Sequence, residues 1–178
     1  ITETDLVRRL WLDNYFYGAT YSFQYQQKKS QVIIGGAANQ YDGKHYGEII
    51  NAIEKGAVPA NYKWYDLIAS KKDISLFGKW TYQLNTHWQT YVDVQGRSVN
   101  YSINGFRNNP GIELRNEYFF FTPKAGITYN HKNAQYYFSY ARAAKEPNRD
   151  DFEAGLNQQP RPEKLNDLEA GIEIKKKN

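Results

Sequence analysis

From Tyr15 to Gln26 the odd positions are Tyr15, Tyr17, Ala19, Tyr21, Phe23 and Tyr25. The even positions from Gly18 onward are Gly18, Thr20, Ser22, Gln24 and Gln26. A period of two places aromatic residues on one face of a strand and small polar ones on the other. A helix would scatter the same tyrosines around its circumference. The pattern recurs with Trp80, Tyr82 and Leu84, then with Trp88, Thr90, Val92 and Val94. It returns with Phe119, Phe121, Pro123, Ala125, Ile127 and Tyr129, with Tyr136, Phe138 and Tyr140, and with Leu168, Ala170, Ile172 and Ile174. Weaker segments lie at Asp5 to Leu12 and Val32 to Asn39. The expectation is an all-β, antiparallel meander of about eight strands, many longer than the usual 5–6 residues.

The connections alternate in length. Gln27 to Ser30, Asn85-Thr86 and Asn130 to Asn133 are short and rich in turn-forming residues. Tyr41 to Lys72, Ile103 to Asn116 and Ala143 to Lys164 read as long loops. Within the first, His45 to Lys55 predicts a short loop helix with Ile49, Ile50 and Ile53 on one side. Alternating short turns and long loops is the plan of an outer-membrane barrel, whose extracellular loops are the long ones. A soluble sandwich also alternates, with its apolar face inward. Two features favour the membrane. Tyr, Trp and Phe cluster near strand ends, where amphipathic rings suit an interface. Full-length polar rows of Gln, Lys, Thr and Asp suit a wet lumen.

Composition narrows the choice. The chain has 178 residues, 16 of them Tyr, and a net charge of +4 without a basic block. Nucleic acid is therefore not an expected partner. Mean hydropathy is −0.81, and no run approaches the roughly 20 apolar residues of a membrane helix. Membrane strands stay open, because only alternate residues need be apolar. Cys is absent, which removes disulfides and thiol chemistry. Met is absent too, and the chain reads as a mature protein or a piece of a longer one.

Several phrases resemble the TonB-dependent outer-membrane receptors, especially those of Bacteroidetes. They are Leu6-Val7-Arg8-Arg9-Leu10-Trp11-Leu12-Asp13-Asn14 with Phe16-Tyr17-Gly18, and Tyr41-Asp42-Gly43-Lys44-His45-Tyr46-Gly47-Glu48-Ile49. More specific are Phe121-Thr122-Pro123-Lys124-Ala125-Gly126-Ile127-Thr128-Tyr129, leading through Phe138-Ser139-Tyr140 to Lys145-Glu146-Pro147-Asn148-Arg149-Asp150-Asp151-Phe152, and Pro162-Glu163-Lys164-Leu165. The resemblance implies a transmembrane barrel of about 22 strands around a plug. It further implies active uptake of an iron–siderophore, haem, cobalamin or glycan, powered through TonB, in the outer membrane of a Gram-negative bacterium. Residues 1–178 would then be a partial barrel domain, with plug, TonB contacts and remaining strands outside it. The ending Lys175-Lys176-Lys177-Asn178 lacks the closing aromatic of such barrels, which points to an internal fragment.

Candidate chemistry is sparse. Tyr62, Trp64 and Tyr65 stand beside Asn61, Lys63 and Asp66 in the longest expected loop. Rings next to polar groups suit a sugar, a ring-bearing ligand or a siderophore, so these three are the ligand-binding candidates. The alternative is that they pack the loop onto itself. His45, His87 and His131 lie on separate segments and predict no metal site. Asp42-Gly43-Lys44 resembles a loop start and not a calcium loop, because spaced acidic ligands do not follow, and Asp150, Asp151 and Glu153 read as a solvated acidic cluster in a loop. Arg142, Arg149, Asp150 and Asp151 are expected to form loop-stabilising ion pairs. Gly35-Gly36 lacks the Lys-Ser/Thr of a phosphate loop and predicts a bulge or a close backbone approach. Glu163 and Glu169 are the one carboxylate pair to weigh for catalysis, and they read as wall residues. No enzyme activity and no cofactor are expected.

Two other readings remain at this point: a complete eight-stranded outer-membrane barrel, and a soluble carbohydrate-binding β-domain. For the fragment reading, lipid is the expected partner of the aromatic face. The isolated chain, with unpaired edges, is expected to self-associate.

Overall fold

The computed structural model describes residues 4–53, 58–59, 61–154 and 159–175. Seven strands and one short helix follow one another. They are β1 (Leu6–Gln26), β2 (Ser30–Ala52), β3 (Tyr62–Gln83), β4 (Trp88–Asn104), β5 (Glu113–His131), β6 (Ala134–Lys145), α1 (Arg149–Ala154) and β7 (Glu163–Ile174). They form one sheet in the order β1 to β7, each strand beside its sequence neighbours. The antiparallel meander is as the alternation predicts.

The count is seven rather than eight because Asp5 to Leu12 and Tyr15 to Gln26 are one strand of 21 residues. Asp13-Asn14 does not break it. The largest difference lies in the expected loop from Tyr41 to Lys72. Most of it is strand: β2 runs to Ala52 and β3 starts at Tyr62. The helix expected over His45 to Lys55 is not formed at residues 45–52, and residues 54–55 lie outside those described. Neighbouring backbone supplies the reason. Ile53 N donates to Asp5 O at 3.1 Å, and Asn61 N donates to Ile49 O at 3.1 Å. Partners on both sides outweigh a weak helical pattern. Helix appears instead at Arg149–Ala154, where the Asp151 carboxylate accepts from Asn148 N at 2.7 Å, one half of a capping box.

The short turns stand where expected. Gln27 and Ser30 exchange backbone hydrogen bonds. Asn85 Oδ1 accepts from His87 N and Trp88 N. Lys132-Asn133 is a two-residue loop, with Lys132 at φ 52°.

Register proves the faces. Ile127 opposes Phe138, which opposes Ala170. Tyr129 opposes Tyr136, which opposes Ile172, and Ala125 opposes Tyr140, which opposes Leu168. Directly opposed residues share a face, so three strands present one apolar surface. The other face carries Gly126–Ser139–Glu169 and Asn130–Gln135–Glu173. The apolar surface is bare: Phe119 is 74% exposed and Ile172 63%. A soluble sheet would cover such rings.

The chain divides into two compact units. The first comprises Ile1–Gly18, Asn39–Lys72 and Asn100–Glu117. Ile49, Leu67, Tyr101, Ile103, Phe106 and Leu114 are its buried apolar residues among those described. Phe106 is fully buried although it lies in the β4–β5 connection. The turn that delivers it is closed by Gly105 N to Ile112 O and by reciprocal bonds between Phe106 and Asn109. Gly105 has φ +85°, and a Cβ there would meet Pro110 O at 2.7 Å. Only glycine suits that position.

The second unit comprises Ala19–Ala38, Asp73–Val99 and Tyr118–Asn178. Val99, Phe120 and Phe152 are buried in it. On its polar face aromatic rings cover glycines of the next strand, Tyr91 over Gly126 and Tyr137 over Gly171. On its apolar face Gly78 and Gly96 open a groove of about 550 Å³ beside Ile34, Leu76, Val94 and Phe121. The expectation for Gly35-Gly36 holds in its close-approach form. A Cβ on Gly35 would stand 2.6 Å from the Phe77 ring, and one on Gly36 2.7 Å from Ser75 O.

Candidate functional site

Tyr62, Trp64 and Tyr65 stand in the first unit, just after the β2–β3 connection. They are not in a loop, as the sequence suggests, but open β3. Asn61, at φ 59°, and the bond from Tyr62 N to Pro59 O turn the chain into the strand.

Their surroundings differ. Tyr62 is 49% exposed, while Trp64 and Tyr65 are half-buried. Trp64 lies directly over Gly47 of β2, whose missing side chain makes room for the indole. Arg8 of β1 brings its guanidinium carbon to 5.8 Å from the Trp64 ring, within cation–π range. Tyr65 meets Trp64 edge-on at 5.4 Å. Lys63 is held between the Asp66 carboxylate at 3.1 Å and the Tyr46 ring at 4.1 Å, and Lys44 stands 3.5 Å from Asp66. Packing therefore fixes Trp64 and Tyr65, and Tyr62 remains the more open ring.

A second polar group lies in the same unit. Asn14 Oδ1 accepts from the Tyr41 hydroxyl at 2.9 Å and stands 3.1 Å from His45 Nε2. Tyr41 and His45 are 3.2 Å apart. Sequence reasoning misses this trio because it places Tyr41 and His45 in a loop. Read as strand, positions 41, 43 and 45 share one face. Nothing in the sequence alone pairs Arg8 with Trp64, since their strands are two apart in the sheet.

The other candidates disperse. His87 and His131 both lie near the Tyr129 ring, at 6.0 and 6.2 Å. Among the described residues no three His, Asp or Glu side chains gather as a metal site. Glu163 and Glu169 are six residues apart on one strand, about 20 Å, too far to act on one bond. Glu163 pairs instead with Lys145 at 3.2 Å. Asp42-Gly43-Lys44 lies inside β2, not at a loop start, and the Asp42 carboxylate accepts from Tyr17 at 3.0 Å.

A network that the sequence does not suggest lies in the second unit. Arg97 donates through Nε to Asp73 Oδ2 at 3.0 Å and through Nη1 to Glu146 Oε2 at 2.9 Å. One guanidinium thus ties β3, β4 and the start of the β6–β7 connection together. Glu146 is only 11% exposed, so this link is shielded from solvent.

This geometry has relatives. Residues 2–178 match the family described as TonB dependent receptor-like, beta-barrel. The chain belongs to that family. No curated protein matches it. Among solved structures it is similar to the copper transporter OprC, with a TM-score of 0.76 and 10% sequence identity. The match covers 95% of this chain and 28% of that one. At such identity the likeness shows the fold alone. The chain thus corresponds to a little over a quarter of that transporter's length, and copper is named for that protein only.

Proposed function

We propose that the chain is a stretch of the barrel wall of a TonB-dependent outer-membrane receptor, working in active uptake and not in catalysis. One observation carries this reading: a continuous row of opposed apolar side chains, Tyr129–Tyr136–Ile172 and its neighbours, is left bare on one face while the other is polar. Lipid on one side and a wet lumen on the other account for both. The 28% share of the structural relative fits a wall segment whose plug, TonB contacts and further strands lie elsewhere in a longer receptor.

In this reading the long connections face outward from the cell, and Tyr62, Trp64 and Tyr65 with Arg8 form part of the substrate path. An indole and a phenol beside a guanidinium suit a ring-bearing or anionic substrate, such as an iron–siderophore, haem, cobalamin or a glycan.

The test uses the full receptor carrying this chain. It should fractionate with outer membranes, require detergent for extraction, and support substrate accumulation that stops when TonB is depleted. Extraction by buffer alone would contradict the placement, and uptake indifferent to TonB would contradict the role.

A further inference from the structure

Within the second unit the chain changes sides just past β6. Tyr136, Phe138 and Tyr140 stand on the apolar side of the sheet, and alternation would carry residue 146 to that side too. Glu146 goes the other way. Val94, Gly96 and Ser98 of β4 line the apolar groove, so Arg97 points to the polar side. There Arg97 donates to both Glu146 oxygens, through Nη1 at 2.9 Å and through Nη2 at 3.1 Å. The β6–β7 connection therefore starts by crossing over the polar side.

The residues that follow are folded against something. Pro147 and Phe152 are buried, while Asn148, Asp150 and Asp151 are exposed. Val99, next to Arg97 in the same phase of β4, is fully buried. Phe120 of β5 alternates with the groove residues Phe119 and Phe121, so it lies on the polar side as well, and it is 5% exposed. Apolar residues on a polar side are buried only where a further element lies over them. A helix of six residues does not hold its shape alone, so α1 depends on the anchors around it.

We propose that residues 146–154 are a strap laid over the polar side of the second unit and latched by Arg97. Releasing Glu146 uncovers the wall beneath. Asp73 suits the latch to repeated release, because it accepts from Arg97 Nε at 3.0 Å and keeps the guanidinium paired and in place when Glu146 leaves. On the wall reading above, where the polar side is the lumen, the strap narrows the substrate path and Arg97–Glu146 is its gate.

The test uses the full receptor in outer-membrane vesicles, with Val99→Cys as reporter and any cysteines outside these 178 residues replaced by serine. A charged, water-soluble methanethiosulfonate should label this thiol slowly. Adding Glu146→Gln should speed labelling about tenfold, the scale of one charge-assisted contact. Lys145→Gln breaks only the exposed pair with Glu163 and should leave the rate unchanged. Equal rates with and without Glu146→Gln would overturn the latch. Trypsin cleavage after Arg149 gives a second reading with Val99 intact: it should be slow in the parent and faster in Glu146→Gln. Rapid cleavage of the parent would overturn the strap. Circular dichroism matched to the parent separates release from unfolding. Glu169→Cys, exposed on the polar side, should label fast in every background. Its failure to label would refute the wet lumen and so the gate, whereas the latch is judged by Val99→Cys and Arg149.

Discussion

At the scale of single residues, two positions concentrate the physical demands of the wall. Gly105 combines a left-handed backbone with no room for a Cβ, and it delivers Phe106 into the core of the first unit. Gly105→Ala should destabilise the receptor by at least about 1 kcal/mol, since strain and clash add. Phe106→Ala should cost about 3–5 kcal/mol through the cavity it leaves. Denaturant titration in detergent checks both, and unchanged midpoints would contradict them. Arg97 is the other position. Removing it leaves Asp73 and Glu146 facing each other with their cation gone. Arg97→Ala should cost about 1–3 kcal/mol, below the range for a fully buried pair because the guanidinium is 27% exposed. The loss should shrink in a Glu146→Gln background, and a double-mutant cycle with no coupling would refute the link. None of this is legible in the sequence. Gly105 sits in a stretch that reads only as a loop, and Arg97 finds its partners 24 and 49 residues away.

At the scale of the element, alternation carries most of the information. It marks both faces of β5, β6 and β7 correctly, because side chains reverse at every residue and register must keep the apolar set together. It fails between Tyr41 and Lys72. Charged and glycine-rich residues there interrupt the apolar rhythm, yet backbone pairing with neighbours on both sides continues the strands. Tyr62, Trp64 and Tyr65 are legible as a cluster of rings, but Arg8 and Gly47, which position Trp64, belong to other strands. The faces make a prediction of their own. In the full receptor Tyr21→Arg should impair assembly more than Gln24→Arg. A charge on the lipid face near the midplane costs roughly 2–4 kcal/mol, whereas a wet lumen hydrates it. Refolding yields into lipid vesicles measure this, and equal yields would count against a lipid-facing Tyr21. The β5–β6 turn gives another. Lys132 occupies a positive φ at the first position of a two-residue loop, where glycine fits best. Lys132→Gly should leave stability unchanged or raise it by up to about 1 kcal/mol, read from the same titration. A clear loss would show that the lysine side chain itself holds the turn.

At the scale of the whole molecule, the sheet has two strands, β1 and β7, each paired on one side only among the described residues. Both are exposed along nearly their whole length. Such edges recruit other strands, and a bare aromatic face adds a second drive to associate. The 178-residue chain alone should therefore associate in water or need detergent, and light scattering over a dilution series should show a mass that rises with concentration. A stable monomer in buffer would restore the soluble-domain reading. The central claim is that one face of this sheet meets lipid and the other meets water. Its most direct test is spin-label accessibility in the full receptor reconstituted in vesicles, with single labels at consecutive positions from Leu168 to Glu173. Labels at Leu168, Ala170 and Ile172 should collide mainly with oxygen dissolved in the bilayer. Those at Glu169, Gly171 and Glu173 should collide mainly with a water-soluble nickel chelate, giving a strict period of two. Uniform access of the chelate to every labelled position would contradict the account.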